Sequence, residues 1–215
     1  MRSKIYILFC LFLVLSCRNR ETDEVSDVVP VIIPQITLKG AEYVSLGLNE
    51  TYTDLGATMY DSLDNIRKDL EPVSNNIDVT TPGLYVVTFN YRNRHGFEKT
   101  TERYIAVTSV NPSIDLSGSY VRSANDAPVN VEKISTGLYK IDNVGGVIPP
   151  SDAVLPVVMA MINDSVITIP SQSVPNGYGT LDCSEETIQF SPDTSFSYIV
   201  ENSGFGAAVR TFIKQ

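Results

Sequence analysis

The chain contains one histidine, His95, and three cysteines, which narrows the chemistry it can perform. A Ser-His-Asp arrangement would have to use His95, which sits in the turn-like stretch Asn93-Arg94-His95-Gly96, and no Gly-x-Ser-x-Gly elbow supplies a nucleophile. One histidine and one free thiol fall short of the four ligands of a structural zinc site. Asp61-Ser62-Leu63-Asp64-Asn65 lacks the alternating oxygen ligands and central glycine of an EF-hand loop. Glu185 and Glu186 are adjacent, so on a strand they face opposite sides and cannot flank one glycosidic bond. Cys183, between Leu181 and that acidic pair, reads as a small strand residue. No glycine-rich phosphate loop or dinucleotide fingerprint is present. The expectation is a protein without catalytic residues, cofactor or metal, working by contact.

The amino end carries a different kind of chemistry. Arg2 and Lys4 precede an apolar run from Ile5 to Leu15, followed by Ser16-Cys17. A charged start, a short apolar stretch and a small residue before the cut describe a secretory signal. The run is too short to span a bilayer, which takes about 20 residues. Val14, Leu15, Ser16 and Cys17 resemble the lipobox of bacterial lipoproteins. That resemblance implies cleavage before Cys17 and acylation of its thiol, hence a lipid-anchored envelope protein of the outer membrane, with periplasmic or outward display left open. Cys183 would then be the one thiol left, and the protein would be stabilised by burial rather than by a disulfide.

The formal charge of −9 makes nucleic acid an unsuitable partner, because phosphate backbones repel an acidic chain. A hydrophobic content of 43% is enough for packed cores, so the chain is not read as disordered. After residues 1–17, residues 18–34 read as a polar, acidic and proline-bearing tether, with Val28–Ile33 as stiff linker or a first edge strand. Beyond it, period-two runs bounded by Gly, Pro, Asn and Asp dominate, which predicts an all-β fold. Leu84–Tyr91 and Thr100–Val107 pair as a hairpin across Asn93–Gly96. Asp61–Asp69 is assigned a short helical turn. From 114 onward, strands are predicted at Gly118–Arg122, Val129–Ile134, Leu138–Asn143, Val157–Ile162, Val166–Ile169, Thr180–Cys183, Thr187–Phe190, Phe196–Glu201 and Ala208–Ile213. Short turns between them imply an antiparallel meander, closed as a barrel or folded as a sandwich. Val144–Val154, with Gly145-Gly146 and Pro149-Pro150, is the longest loop, and long loops on rigid scaffolds commonly bind.

Ile36-x-Leu38-x-Gly40, Tyr52-x-Asp54-x-Gly56-Ala57, Gly83-x-Tyr85-x-Val87-x-Phe89 and Ile105-x-Val107 resemble an Ig-like domain of bacterial surface proteins and pesticidal crystal proteins, over residues 35–109. The resemblance implies a β-sandwich. Tyr85 would form a tyrosine corner and Gly56 would occupy a position that excludes a side chain. Leu116-Ser-Gly118-Ser-Tyr120, Val129-x-Val131 and Tyr139-Lys-Ile141-Asp142 with Gly145-Gly146 resemble the second domain of a Bacteroidetes lipoprotein family, over residues 114–215. Relatives of that architecture accompany polysaccharide uptake, which implies polysaccharide or other outer-membrane uptake proteins as partners.

Aromatic side chains are the natural platform for binding a sugar. The chain has no tryptophan, but 11 tyrosines and 8 phenylalanines. Tyr85, Phe89 and Phe190 fall in period-two runs and read as core. Tyr178 in Asn176-Gly-Tyr-Gly179 and Phe205 in Ser203-Gly-Phe-Gly206 are flanked by glycine, so they form either a ligand platform or a plug over the barrel mouth. Tyr178, Phe205, Gly145 and Gly146 are therefore the candidate ligand-binding residues, and Cys17 the lipidation site. The expected role is accessory glycan binding or docking in an uptake system, with the Ig-like sandwich as membrane-proximal spacer. The alternatives are a structural or adhesive module and, less favoured, a hydrolase or a carrier of small apolar ligands.

Overall fold

The computed structural model describes residues 31–215; Cys17 and the signal and most of the tether lie outside them. Residues 31–34 form no strand. Among the described residues the chain is built from strands and turns, with no helix.

The first six strands are β1 (Gln35–Leu38), β2 (Tyr43–Gly47), β3 (Ala57–Asp61), β4 (Ile66–Leu70), β5 (Gly83–Arg92) and β6 (Glu98–Thr108). They make two three-stranded sheets, ordered β1-β3-β4 and β2-β6-β5, with β2 parallel to β6 and every other pair antiparallel. The alternation of β5 and β6 puts Val87, Phe89, Ile105 and Val107 into a core shared with Met59, Ala57 and Leu46, closing the expected sandwich. Tyr85 donates its hydroxyl to Thr81 O (2.8 Å), a side chain tying its strand to the backbone four residues earlier. Gly56 has φ +77°, and a Cβ there would lie 3.1 Å from Leu70 O.

The segment Asp61–Asp69 is not helical. Asp61 accepts a hydrogen bond from Leu63 N (3.0 Å), Asn65 takes φ 51°, and the chain reverses into β4. Cross-strand pairing of Tyr60 with Arg67, whose guanidinium lies 5.0 Å from the ring centroid, favours the hairpin over a helix.

The remaining nine strands are β7 (Gly118–Arg122), β8 (Pro128–Ser135), β9 (Leu138–Ile141), β10 (Val157–Asn163), β11 (Val166–Thr168), β12 (Gln172–Val174), β13 (Gly179–Gln189), β14 (Ser195–Glu201) and β15 (Arg210–Lys214). They form one antiparallel sheet ordered β11-β10-β9-β8-β7-β15-β14-β13-β12. The sheet curls until its ends approach, and Cys183 N donates to Ile169 O (3.2 Å) across the seam. Its interior holds Tyr120, Tyr139, Phe196, Tyr198 and Phe212 together with Val131, Met159 and Leu181. The two segments predicted at Thr180–Cys183 and Thr187–Phe190 are one strand, β13, interrupted by a bulge at Glu185 with φ 54°. Phe190 lies past the last paired residue and is 41% exposed, so it is not core.

Ile32–Gln215 forms a single compact unit. The reason is visible in β6 and β10, which are buried on both faces. Arg103, Ile105 and Val107 face the sandwich core, while Tyr104 and Ala106 face the other way, onto Leu138, Val158 and Ala160. Met159 and Met161 in turn face the interior of the curled sheet. Polar bonds pin this apolar seam. Thr108 Oγ1 donates to Met161 O (2.8 Å), Ser109 N to Ile162 O (3.0 Å), and Ser45 Oγ to Thr136 O (2.5 Å).

Candidate functional site

The four residues nominated from sequence come together at one end of the curled sheet. Tyr178 and Phe205 contact each other, with ring centroids 5.7 Å apart and planes tilted by 43°. Both are half-buried against the interior. Gly145 and Gly146 are buried beneath them, and a Cβ on Gly145 would stand 2.2 Å from Phe205 Cε1. The loop from Val144 is held from several sides. Tyr198 donates to Val144 O (2.9 Å), and Asn143 bonds to Val147 through both its amide nitrogen and oxygen.

Two arginines complete this end. Arg210 is 4% exposed, and it donates to Gly145 O (3.2 Å), Ala208 O (2.8 Å) and Phe205 O (2.5 Å), while lying 5.6 Å from the Phe205 ring centroid. Arg122 donates to Gly145 O and Gly146 O (3.3 and 3.4 Å). Burial, and then the neighbouring Arg122 charge, hold the Arg210 guanidinium below its ordinary value. Here the arginines act on carbonyls of the glycine loop and of the 205–208 turn, stapling both over the interior. Gly145→Ala should expel Phe205 from its seat and cost about 1–3 kcal/mol, the range for overpacking. Near-UV circular dichroism and chemical denaturation would register both changes.

A second arrangement was not nominated from sequence. Tyr43 of β2 and Tyr104 of β6 are register partners, and their rings stack with centroids 5.8 Å apart and planes within 14°. They line a cleft of about 140 Å³ between the sandwich and the curled sheet, together with Glu42, Lys140, Gln172 and Ser173. Its polar groups divide into spent and free. The Tyr104 hydroxyl donates to Glu102 (2.6 Å), and that carboxylate also accepts from Ser173 N (3.1 Å). Gln172, 2% exposed, accepts from Val158 N (2.7 Å) and donates to Val158 O (2.9 Å). It pairs with β10 where β11 no longer does, because β11 begins its pairing only at Ala160. Lys140 is exposed and free of such bonds, Glu42 is exposed and meets the Tyr43 hydroxyl, and Tyr43 is partly exposed. Burial, then the adjoining Glu42 carboxylate, raise the Tyr43 hydroxyl above its ordinary value, so it stays protonated and able to donate.

His95 is exposed in the β5–β6 turn, 3.5 Å from Asp64, which also pairs with Arg94 (2.5 Å). Cys183 is buried, and burial followed by the nearby Glu186 and Asp182 charges pushes its thiol far up, away from thiolate character. Glu185 makes the β13 bulge, while Glu186 accepts a hydrogen bond from Ile169 N (3.1 Å). Among the described residues, no group of three or more His, Cys, Asp and Glu side chains is placed to hold a metal ion.

Residues 36–107 match the family of bacterial surface proteins described as "Bacterial surface protein, Ig-like domain". The first sandwich is thus similar to a domain class of the bacterial cell surface. No curated protein matches the chain. Among solved structures, the lipoprotein BT2262 from Bacteroides thetaiotaomicron aligns at 17% identity over 85% of this chain and 100% of that one, with a TM-score of 0.39.

Proposed function

We propose that this protein is a lipid-anchored, non-enzymatic component of the bacterial envelope that captures glycan at the outer membrane for an uptake system. The observation that carries the reading is the match of the first sandwich to a surface-protein Ig-like domain. The Cys17 motif supports the anchor, and the tyrosine-lined cleft supports a binding role. Residues 1–17 would be the signal, 18–34 the tether, 35–109 the Ig-like domain and 114–215 the second β domain. Tethering raises local concentration, so modest sites suffice when several copies meet one polymer. The fused body holds whatever it binds at a fixed position relative to the Ig-like domain. Anchorage is the first test. Each buried methylene contributes about 0.8 kcal/mol, so several acyl chains hold a soluble body on the bilayer. Cys17→Ala should move the protein from the membrane pellet to the soluble envelope fraction. Retention of that variant in the pellet, with no label from radioactive palmitate in the native protein, would refute the anchor. Native gels cast with starch, xylan, mannan, pectin or mucin test capture: the native protein should be retarded by at least one of them.

A further inference from the structure

We infer that the cleft lined by Tyr43 and Tyr104, one of those between the sandwich and the curled sheet, is a saccharide subsite that seats one pyranose ring against Tyr43. This inference rests on the glycan-capture reading and specifies where capture happens. At about 140 Å³ the cleft is well below the ~300 Å³ floor of ordinary drug-sized pockets, so it fits a single ring or chain end and not an extended ligand.

Chemistry narrows the occupant further. A pyranose presents an apolar C–H face and a rim of hydroxyls that both donate and accept. Tyr43 offers an aromatic surface whose orientation is fixed from behind by Tyr104, stacked 5.8 Å away. Glu42 can only accept and Lys140 can only donate, so together they meet both halves of a hydroxyl pair. Glu42 and Lys140 carry opposite charges, so the pair has no net charge to favour an anion or a cation, which suits a neutral polyol ring.

The cleft is also preorganised. Tyr104, 7% exposed, is locked by its bond to Glu102, and Glu102 by Ser173 N. Gln172 is held on both sides by Val158. The walls come from both halves of the fused body, with Glu42, Tyr43 and Tyr104 from one and Lys140, Gln172 and Ser173 from the other. A rigid junction is what keeps them at fixed separation. At the other candidate, Tyr178 and Phe205 spend their ring faces on each other and on the glycine loop.

The test uses the native protein and four variants on gels cast with the five polysaccharides, with saturation-transfer NMR against glucose, galactose, mannose, xylose and N-acetylglucosamine. Glu42→Gln and Lys140→Met change exposed side chains and leave the fold intact, so they stand beside Tyr43→Ala. Retardation should weaken about tenfold or more in Tyr43→Ala and several-fold in each polar variant. It should persist in Tyr178→Ala. Ring protons of at least one monosaccharide should show transfer from the native protein and not from Tyr43→Ala. Undiminished retardation in all three cleft variants overturns the subsite while glycan capture stands. Loss in Tyr178→Ala alone moves the site to the Tyr178–Phe205 pair and likewise overturns the proposal. A native protein bound by none of the polysaccharides and none of the monosaccharides refutes glycan capture itself.

Discussion

Asp54→Asn is expected to destabilise the protein by about 3–5 kcal/mol, the cost of leaving one member of a buried ion pair without its partner. Arg103 is 1% exposed and Asp54 7% by side chain, and the guanidinium meets Asp54 Oδ1 directly. The same guanidinium donates to Ala41 O (2.9 Å), Lys39 O (2.6 Å) and Gly56 O (3.3 Å). Asp54 also accepts from Gly56 N (2.7 Å) and the Tyr52 hydroxyl (3.1 Å). The Tyr52-x-Asp54-x-Gly56 pattern is therefore a clamp that fastens the irregular segment leading into β3 onto β6. Replacing both charges, as Asp54→Ala with Arg103→Met, should recover part of the loss, because the orphaned cation goes with its partner.

The clamp also fixes a pH dependence. Burial alone would raise the Asp54 carboxyl, but the hydrogen bonds from Arg103, Gly56 N and Tyr52, with the guanidinium charge, outweigh it and hold the carboxyl below its ordinary value. A carboxyl depressed in the folded state contributes stability above its unfolded value of about 4. That contribution is lost as pH falls through the folded value. Chemical denaturation between pH 6 and pH 2 should show stability falling from about pH 4 downward, with a smaller fall in Asp54→Asn.

The second large effect concerns the seam. Ala160 is fully buried on the outer face of β10, against Leu84, Tyr104 and Ala106. Ala160→Asp would bury an unpaired carboxylate there and should cost more than about 4 kcal/mol. Because the seam is what joins the sandwich to the curled sheet, the loss should separate their melting into two transitions. It should also abolish any binding that draws walls from both. A variant that still melts in one transition at the native temperature would show that the seam contributes little.

Much of this architecture could be read from residue patterns. The hairpin of β5 and β6 was legible because Tyr85, Val87 and Phe89 alternate cleanly and Asn93–Gly96 supplies turn residues. β7 was legible to its exact ends because Gly118 and the Ser123-Ala124-Asn125 turn bracket it. β12 escaped notice because Gln172–Val174 is three residues long, with one buried amide doing the work of an apolar anchor. The bulge at Glu185 escaped because nothing in the identity of a glutamate announces a positive φ. The cleft escaped for a different reason. Tyr104 and Ala106 alternate with Ile105 and Val107, and that alternation alone does not tell whether the second face meets water or another sheet. The deciding signal was the unbroken run Val157-Val158-Met159-Ala160-Met161-Ile162, since a strand buried on both faces loses its alternation. Tyr178, Phe205, Gly145 and Gly146 lie together at one end of the curled sheet, with the rings packed onto the loop, a convergence that no spacing in the sequence announces.

The fused body underlies both the proposed capture role and the shared cleft, and scanning calorimetry of the purified native chain tests it most directly. The account predicts one transition whose calorimetric and van't Hoff enthalpies agree. Two separable transitions, each insensitive to substitution in the other half, would contradict it.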